Sequence, residues 1–409
     1  MTIRKQPDDF RVREALSDEL LAQVVREPSP SHGHALLQLD KTSLTTPDAC
    51  SMLARAANVK SGLVAYAGLK DKHARTTQHV TIPAESADTL AKLQAPLTDR
   101  NWSAHLLGFL PRPIQAADIA HNHFEIIVRD LTHQASDAMA RRADALYSNN
   151  HITLINYFGD QRFAGVRGDF AAVHLVKGDF EQALRLLIAI PHRKDMGKKR
   201  EFTRLAATHW GDWKKLARQA PNVPEKRVID TLAAGQTARD AFTQLPNLTQ
   251  QMCIDAFQSH IWNAAARTCV QACVDTNDII PADDPFGPML FPVASAWTAA
   301  PLNTWPRISV PCPSPDLIDD LTIPRAWLDA LTQQLAAHHL TFADLRIPGL
   351  RRPAFGPAPR PLAIHVTDFA MTRAQRDTLD PAGKRLERTL RFTLPRGSYA
   401  TVLLRALGQ

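Results

Sequence analysis

The chain has 409 residues, 44% hydrophobic and 22% charged, with a formal net charge of +7 and a pI near 9.3. That is enough apolar material for a real core and enough length for two or three domains. The basic balance suits an anionic partner, RNA or DNA first. Five scattered cysteines (Cys50, Cys253, Cys269, Cys273 and Cys312) argue against a disulfide framework. No apolar run is long enough to span a bilayer, and the first residues lack the apolar stretch of a secretory leader, so a reducing cytoplasm is the expected location.

In chain order, residues 7–14 alternate from Phe10 onward and predict a first strand, and residues 34–41 a second. Thr46-Pro47-Asp48 then starts a helix to about residue 57, with Thr46 as the expected N-cap and proline at the first helical position. An apolar run ends at Gly68, and Lys70-Asp71-Lys72-His73-Ala74-Arg75 forms a dense polar turn. A further strand follows at residues 79–82. In residues 123–129, Phe124, Ile126 and Val128 share one face of a half-buried strand, and a helix is expected over 134–148.

From about residue 170 to 345 helical patterns dominate, as at 179–189, 202–220 and 251–274, with Pro-rich loops between 281 and 325. Strand character returns at 362–369 and again where Leu390, Phe392 and Leu394 alternate with polar residues. Gly397-Ser398 then caps a short helix over 399–407. Strands, helices, strands is the pattern of an α+β protein whose sheet is completed from the C-terminus around a helical insertion, because a half-sheet would leave an unpaired edge and an uncovered apolar face. Neither a Gly-x-x-x-x-Gly-Lys-Ser/Thr loop nor a Gly-x-Gly-x-x-Gly turn occurs, so no nucleotide cofactor is expected. Cys269 and Cys273, four residues apart with His260 nearby, lack a second ligand pair and read as buried free thiols rather than a zinc site.

Three stretches can carry chemistry. Asp71 stands between Lys70 and Lys72, and opposite charges favour its ionised form. Such a carboxylate can attack a sugar carbon or accept a proton, while Lys70, Lys72 and His73 hold phosphate over it. Taken alone, the stretch also reads as a solvated turn tip. No partner carboxylate stands out, which speaks against two-acid hydrolysis. Asn156-Tyr157-Phe158-Gly159-Asp160-Gln161-Arg162-Phe163 offers Asn156 for a base edge, Phe158 for stacking on an unpaired base, and Arg162 as a donor to RNA; it also reads as a loop with two core aromatics. Phe10 and Tyr399 are aromatics near strand ends that suit either a core or, with Phe158, a base-binding slot. The basic run 192–200 suits either phosphate contact or a solvated linker.

The chain resembles the TruD family of tRNA pseudouridine synthases. Gly68-Leu69-Lys70-Asp71-Lys72-His73-Ala74-Arg75-Thr76-Thr77-Gln78 is similar to the family's Gly-x-Lys-Asp-Lys-x-Ala-x-Thr-x-Gln loop, and residues 156–163 to its Asn-aromatic-Phe-Gly-x-Gln-Arg-Phe motif. Pro7-Asp8-Asp9-Phe10-Arg11-Val12-Arg13-Glu14, Ser259-His260-Ile261-Trp262-Asn263 and Leu394-Pro395-Arg396-Gly397-Ser398-Tyr399-Ala400-Thr401 resemble three further motifs, in the family's order. The resemblance implies an α+β pseudouridine synthase fold: a mixed, largely antiparallel sheet flanked by helices, with catalytic parts at 1–175 and 349–409 around a mostly helical insertion at 176–348. It places Asp71 as the catalytic aspartate and Phe10, Asn156, Phe158 and Tyr399 around the uridine. It implies tRNA as partner, uridine 13 as target, and no cofactor, metal or membrane. A monomer is expected. Two other readings stay open: a pseudouridine synthase acting on another RNA site, and a non-catalytic RNA-binding protein of the same fold.

Three departures stand out. Residues 112–121 are less basic than the resemblance leads one to expect, Tyr399 stands where phenylalanine is familiar, and residues 281–345 have no clear counterpart.

Overall fold

A computed structural model of the chain describes residues 1–409 except 85, 194, 318, 319 and 321. Two compact units emerge, Met1–Leu154 with Ile364–Gln409, and Ile155–Ala363. They part at 154/155 and 363/364, beside the expected bounds of 175/176 and 348/349. The second unit holds the 156–163 motif by its own bonds: the Phe158 amide donates to Asn263 Oδ1 at 2.8 Å, Asn263 Nδ2 donates to the Phe158 carbonyl at 3.0 Å, and the Tyr157 hydroxyl donates to the Leu290 carbonyl at 3.2 Å.

The first unit is built on a 12-stranded mixed sheet. Strand Phe10–Leu16 lies in its middle, parallel to Arg75–Pro83 and antiparallel to Ile119–Leu131. Outward from Arg75–Pro83 come His34–Thr42, Trp102–Leu110 and Leu97–Asp99, and outward from Ile119–Leu131 come Leu386–Pro395, Ala363–Met371, His151–Ile155 and Tyr147–Ser148. The C-terminal strands thus complete the sheet begun at the N-terminus, as the strand–helix–strand pattern predicts.

Helix Thr46–Ala56 covers one part of the sheet, burying Ala49, Cys50 and Leu53 with Leu37, Leu39, Val80 and Ile82. Its N-cap is Thr45, whose Oγ1 accepts from the Asp48 amide at 3.2 Å, and not Thr46 as the sequence suggested. The one-residue shift matters, because it frees the buried Thr46 hydroxyl for another partner. The C-terminal helix Ala400–Ala406 begins after Tyr399 in the N-cap position, and Ser398 does not cap it.

The second unit is mostly helical. Its 27-residue helix Asn247–Cys273 buries Phe257, Ile261 and Trp262 and packs on helix Arg325–Ala336, with the Trp262 and Trp327 rings 5.3 Å apart. The helical stretch expected over 202–220 is two helices, Gly197–Thr208 and Trp213–Gln219, broken where Gly211 adopts φ +95° and Asp212 caps the second.

All five cysteines are free thiols, and no group of metal ligands occurs among the described residues. Cys273, expected buried, is exposed. His260 packs against Phe170 at 4.7 Å, and burial pushes its pKa down to about 4, helped by His338 and Arg267. In the basic run, Lys199 meets Glu225 at 2.6 Å, so part of its charge is neutralised internally, and the run's own acid, Asp195, binds Arg167 outside it through both oxygens at 2.8 and 2.9 Å; Lys194 of that run lies outside the described residues. No helix among the described residues is long and apolar enough to cross a membrane.

Candidate active site

The Lys70–His73 turn enters strand Arg75–Pro83, and five contacts fix it from beneath and beside. The Lys70 amide donates to Thr46 Oγ1 at 3.0 Å, and that hydroxyl donates on to Gln78 Oε1 at 2.9 Å. The Lys70 ammonium pairs with Glu14, whose side chain is 1% exposed. The second Glu14 oxygen accepts from the His79 amide at 2.9 Å. Burial raises the Glu14 pKa, but His79 and Lys70 outweigh it and hold the carboxyl below its usual range. Finally, Lys41 Nζ donates to the Asp71 carbonyl at 2.9 Å.

The Asp71 carboxylate, 16% exposed, has a donor on each oxygen. The His73 amide donates to Oδ1 at 2.8 Å, closing an Asx turn, and the Arg4 guanidinium meets Oδ2 at 2.9 Å. Arg4 also lies 4.5 Å over the Phe10 ring, a cation–π contact. Phe10 is 4% exposed and meets Phe124 edge-on at 6.2 Å, while Phe124 stacks on Phe392 at 5.2 Å.

Arg4 is the residue that sequence reasoning missed. Its placement follows from Asp9, which accepts from the Lys5 and Gln6 amides at 3.1 and 3.0 Å and from Arg129 Nε at 2.7 Å. That buried knot turns the N-terminal segment so that Arg4 and Phe10 arrive together. A charged residue six positions before a motif aromatic is a weak signal, and nothing in it names Asp71 as the partner.

The structure therefore brings Asp71, Phe10 and Lys70 together in the first unit, and divides the cations of the turn. Lys70, 14% exposed, turns inward to Glu14, while Lys72 and His73 are exposed. Tyr399, half-buried, belongs to the same unit. Asn156, Phe158 and Arg162 belong to the second unit and meet each other there. Arg360 donates to Asn156 Oδ1 at 2.8 Å and lies 4.1 Å over the Phe158 ring, and Arg162 lies 5.3 Å from that ring while pairing with Asp255 at 2.9 Å. Phe158 is 5% exposed and meets Trp262 edge-on at 5.6 Å. Truncating such a ring leaves a cavity, so Phe158→Ala is expected to destabilise the protein by about 3–5 kcal/mol. Urea denaturation checks this; a loss below about 1 kcal/mol would mean that the ring is not a core element.

The segment 112–121 is closed on itself: Arg112 binds both oxygens of Asp118, at 2.6 and 2.8 Å. The other face of the central strands carries a cleft of about 460 Å³, lined by Arg11, Arg13, His123, Glu125, Arg391 and others. Its charges are largely paired, Glu125 holding Arg11 at 3.3 Å and Arg391 at 2.7 Å. The alternation of strand Phe10–Leu16 puts Phe10 and Glu14 on the face opposite Arg11 and Arg13, so this cleft does not contain the carboxylate.

A mixed sheet begun by N-terminal strands and completed by C-terminal ones, a helical insertion between them, and an anchored loop presenting one carboxylate together define a pseudouridine synthase fold. The sequence profile of the tRNA pseudouridine synthase D (TruD) family matches residues 1–407. The chain belongs to that family. It is 26% identical to a tRNA pseudouridine synthase D of Aquifex aeolicus, over 99% of this chain and 97% of the relative. It is 27% identical to one of Syntrophotalea carbinolica, over 98% and 94%. A crystal structure from Methanosarcina mazei, provisionally assigned as tRNA pseudouridine synthase D, shares the fold with a TM-score of 0.67 at 22% identity, over 99% of this chain and 92% of that one.

Proposed function

We propose that this protein is a cytoplasmic tRNA pseudouridine synthase that isomerises uridine 13, with Asp71 as its catalytic carboxylate. The observation that carries this reading is the Asp71 side chain itself: ionic on one oxygen to Arg4 at 2.9 Å, capped on the other by the His73 amide at 2.8 Å, on a loop anchored by Glu14, Thr46 and Lys41. A carboxylate so held is oriented before the substrate arrives, which is what positioning contributes to a rate.

The reaction balances without a co-reactant. The N1–C1′ bond breaks, the base turns, C5 bonds to C1′, the C5 proton leaves and N1 gains one. Asp71 has two routes open to it. It attacks C1′ and is displaced when C5 closes on that carbon, or it takes the C2′ proton, which is returned later. A primary isotope effect with 2′-deuterated uridine marks the second route, and its absence the first.

The target nucleotide leaves its stack at a cost of a few kcal/mol. Phe10 and Tyr399 are the first unit's rings for receiving it. Buried Thr76 Oγ1, Gln78 Nε2, Asn122 Oδ1 and Ser398 Oγ have no hydrogen-bond partner among the described residues. Such atoms are costly to leave unpaired, and a uracil edge supplies both donors and acceptors. Among the turn's cations, the inward Lys70 serves as an anchor, and Lys72 and His73 are assigned to phosphate. Lys72→Ala is expected to weaken tRNA binding several-fold and to reduce the slope of log affinity against log salt by about one. Filter binding at several salt concentrations tests this; an unchanged slope removes Lys72 from the phosphate contacts.

A second reading, a pseudouridine synthase acting on another RNA site, has the Arg112–Asp118 pair in its favour, because a guanidinium engaged within the protein is less available to the RNA. Mapping pseudouridine in RNA from cells with and without the gene decides. Loss confined to position 13 of tRNAs supports the first reading, and loss elsewhere the second.

A further inference from the structure

In strand His34–Thr42 the inward positions Ala35, Leu37 and Leu39 are apolar and fully buried. The next inward position is Lys41, only 1% exposed. Its Nζ donates to the carbonyls of Leu44 at 2.8 Å and Asp71 at 2.9 Å. No carboxylate forms an ion pair with this ammonium among the described residues. A lysine sealed under a sheet's helix and satisfied only by carbonyls is an expensive way to close a turn, and an apolar residue would continue the strand's pattern.

From this geometry we propose that Lys41 is a positioning residue for Asp71, gripping the backbone carbonyl of the acid and supplying a fixed positive charge beneath it. The proposal rests on the reading of Asp71 as the catalytic carboxylate. The grip is on the residue itself: the ammonium sets the Asp71 peptide plane, and the side-chain turn to the His73 amide is built on that plane. Three ionisable groups face Lys41. Asp71 favours its charge and Lys70 opposes it, both from the loop; Cys50 faces it from helix Thr46–Ala56. Burial pushes the Cys50 thiol up to about 11, so it stays neutral at ordinary pH. Burial, the largest influence, pushes the Lys41 pKa down to about 8, with Asp71 opposing and Lys70 adding to the fall. The charge is therefore lost within a range in which an enzyme can be assayed.

The test compares the unaltered protein with Lys41→Met, Lys41→Arg and Asp71→Asn. It follows single-turnover tritium release from tRNA carrying C5-labelled uridine between pH 6.5 and 9.5, with tRNA affinity and melting temperature measured beside it. The expected result is a release rate at least about 100-fold lower in Lys41→Met, with tRNA affinity within about twofold of the unaltered protein. The unaltered rate falls as pH rises through about 8. Lys41→Arg, which stays charged throughout, recovers part of the activity and does not show that fall. A Lys41→Met rate within about threefold of normal, a rate loss matched by lost tRNA binding, or the same fall in Lys41→Arg overturns the proposal. If Lys41→Met does not fold, the profile of the unaltered protein decides, since a flat rate from pH 7 to 9.5 overturns it. An active Asp71→Asn sinks the catalytic reading and the proposal together. An inactive Asp71→Asn beside a fully active Lys41→Met sinks the proposal alone.

Discussion

Asp71→Asn is expected to release tritium from C5-labelled uridine at least about 10⁴-fold more slowly than the unaltered protein, the order of loss seen when a reacting group is deleted from an enzyme. That is about 5.4 kcal/mol of transition-state stabilisation. The amide keeps the size of the carboxylate and its acceptor for the His73 amide, so the turn survives. It loses the charge that meets Arg4, an ion pair with side chains 30% and 16% exposed, which contributes about 1 kcal/mol or less to stability. The variant therefore folds. Removing one negative charge from a cationic surface leaves tRNA affinity equal or slightly higher. Release within tenfold of normal by a folded, tRNA-binding variant would remove Asp71 from the reaction.

Arg129→Met is expected to cost about 3–5 kcal/mol of stability at neutral pH, the usual penalty for stranding buried charge. Arg129, 2% exposed, meets Asp9 at 2.7 Å, Asp377 at 2.9 Å and Glu387, joining the N-terminal segment to the last hairpin. Burial raises the Asp377 pKa, but the amides of Leu379 and Asp130 and the Arg129 guanidinium outweigh it and hold the carboxyl below its usual range. That contribution is therefore present above the unfolded pKa and lost as pH falls through the folded one. In the variant the amides remain and the guanidinium is gone, so the part of the deficit that comes from Asp377 is full well above the unfolded carboxylate pKa of about 3.9 and shrinks as pH falls through and below it. Urea denaturation at pH 7 and at about pH 3 checks the size and the sign; an equal loss at both would mean that the lost partner of the carboxylate is not the cause. Asp9 also sets the path of Arg4 and Phe10, so activity at low temperature, where the variant stays folded, is expected to fall as well.

Much of this was legible in the residues. Alternation marked the central strands near their observed places, because a strand half-buried on one face must alternate. The Lys70–Gln78 motif announced a carboxylate on a basic turn. What it could not announce was which way each cation faces. Lys70 meets Glu14, Lys41 meets the Asp71 carbonyl, and Arg4 meets the carboxylate, each across tens of residues of sequence. Lys41 did leave a trace, a charge where the pattern of positions 35, 37 and 39 calls for an apolar residue. The aromatics stayed ambiguous in sequence. Phe158 read either as a stacking platform or as a core aromatic, and in its own unit it packs against Trp262 with a guanidinium over its face.

By itself the sequence determined most of the elements and the family, and singled out Asp71 as the acid proposed for catalysis, since these rest on local pattern and on motifs read in order. The tertiary structure alone decided the acid's environment. Parallel pairing sets Arg11 beside Arg75 and Arg13 beside Thr77, while antiparallel pairing sets Lys41 beside Thr76. A shift of one residue in either register would send Glu14 or Lys41 to the opposite face of the sheet and leave the loop without its anchors. Register is a property of strands that meet in space, fixed by the burial of whole faces, and no single stretch of the chain carries it.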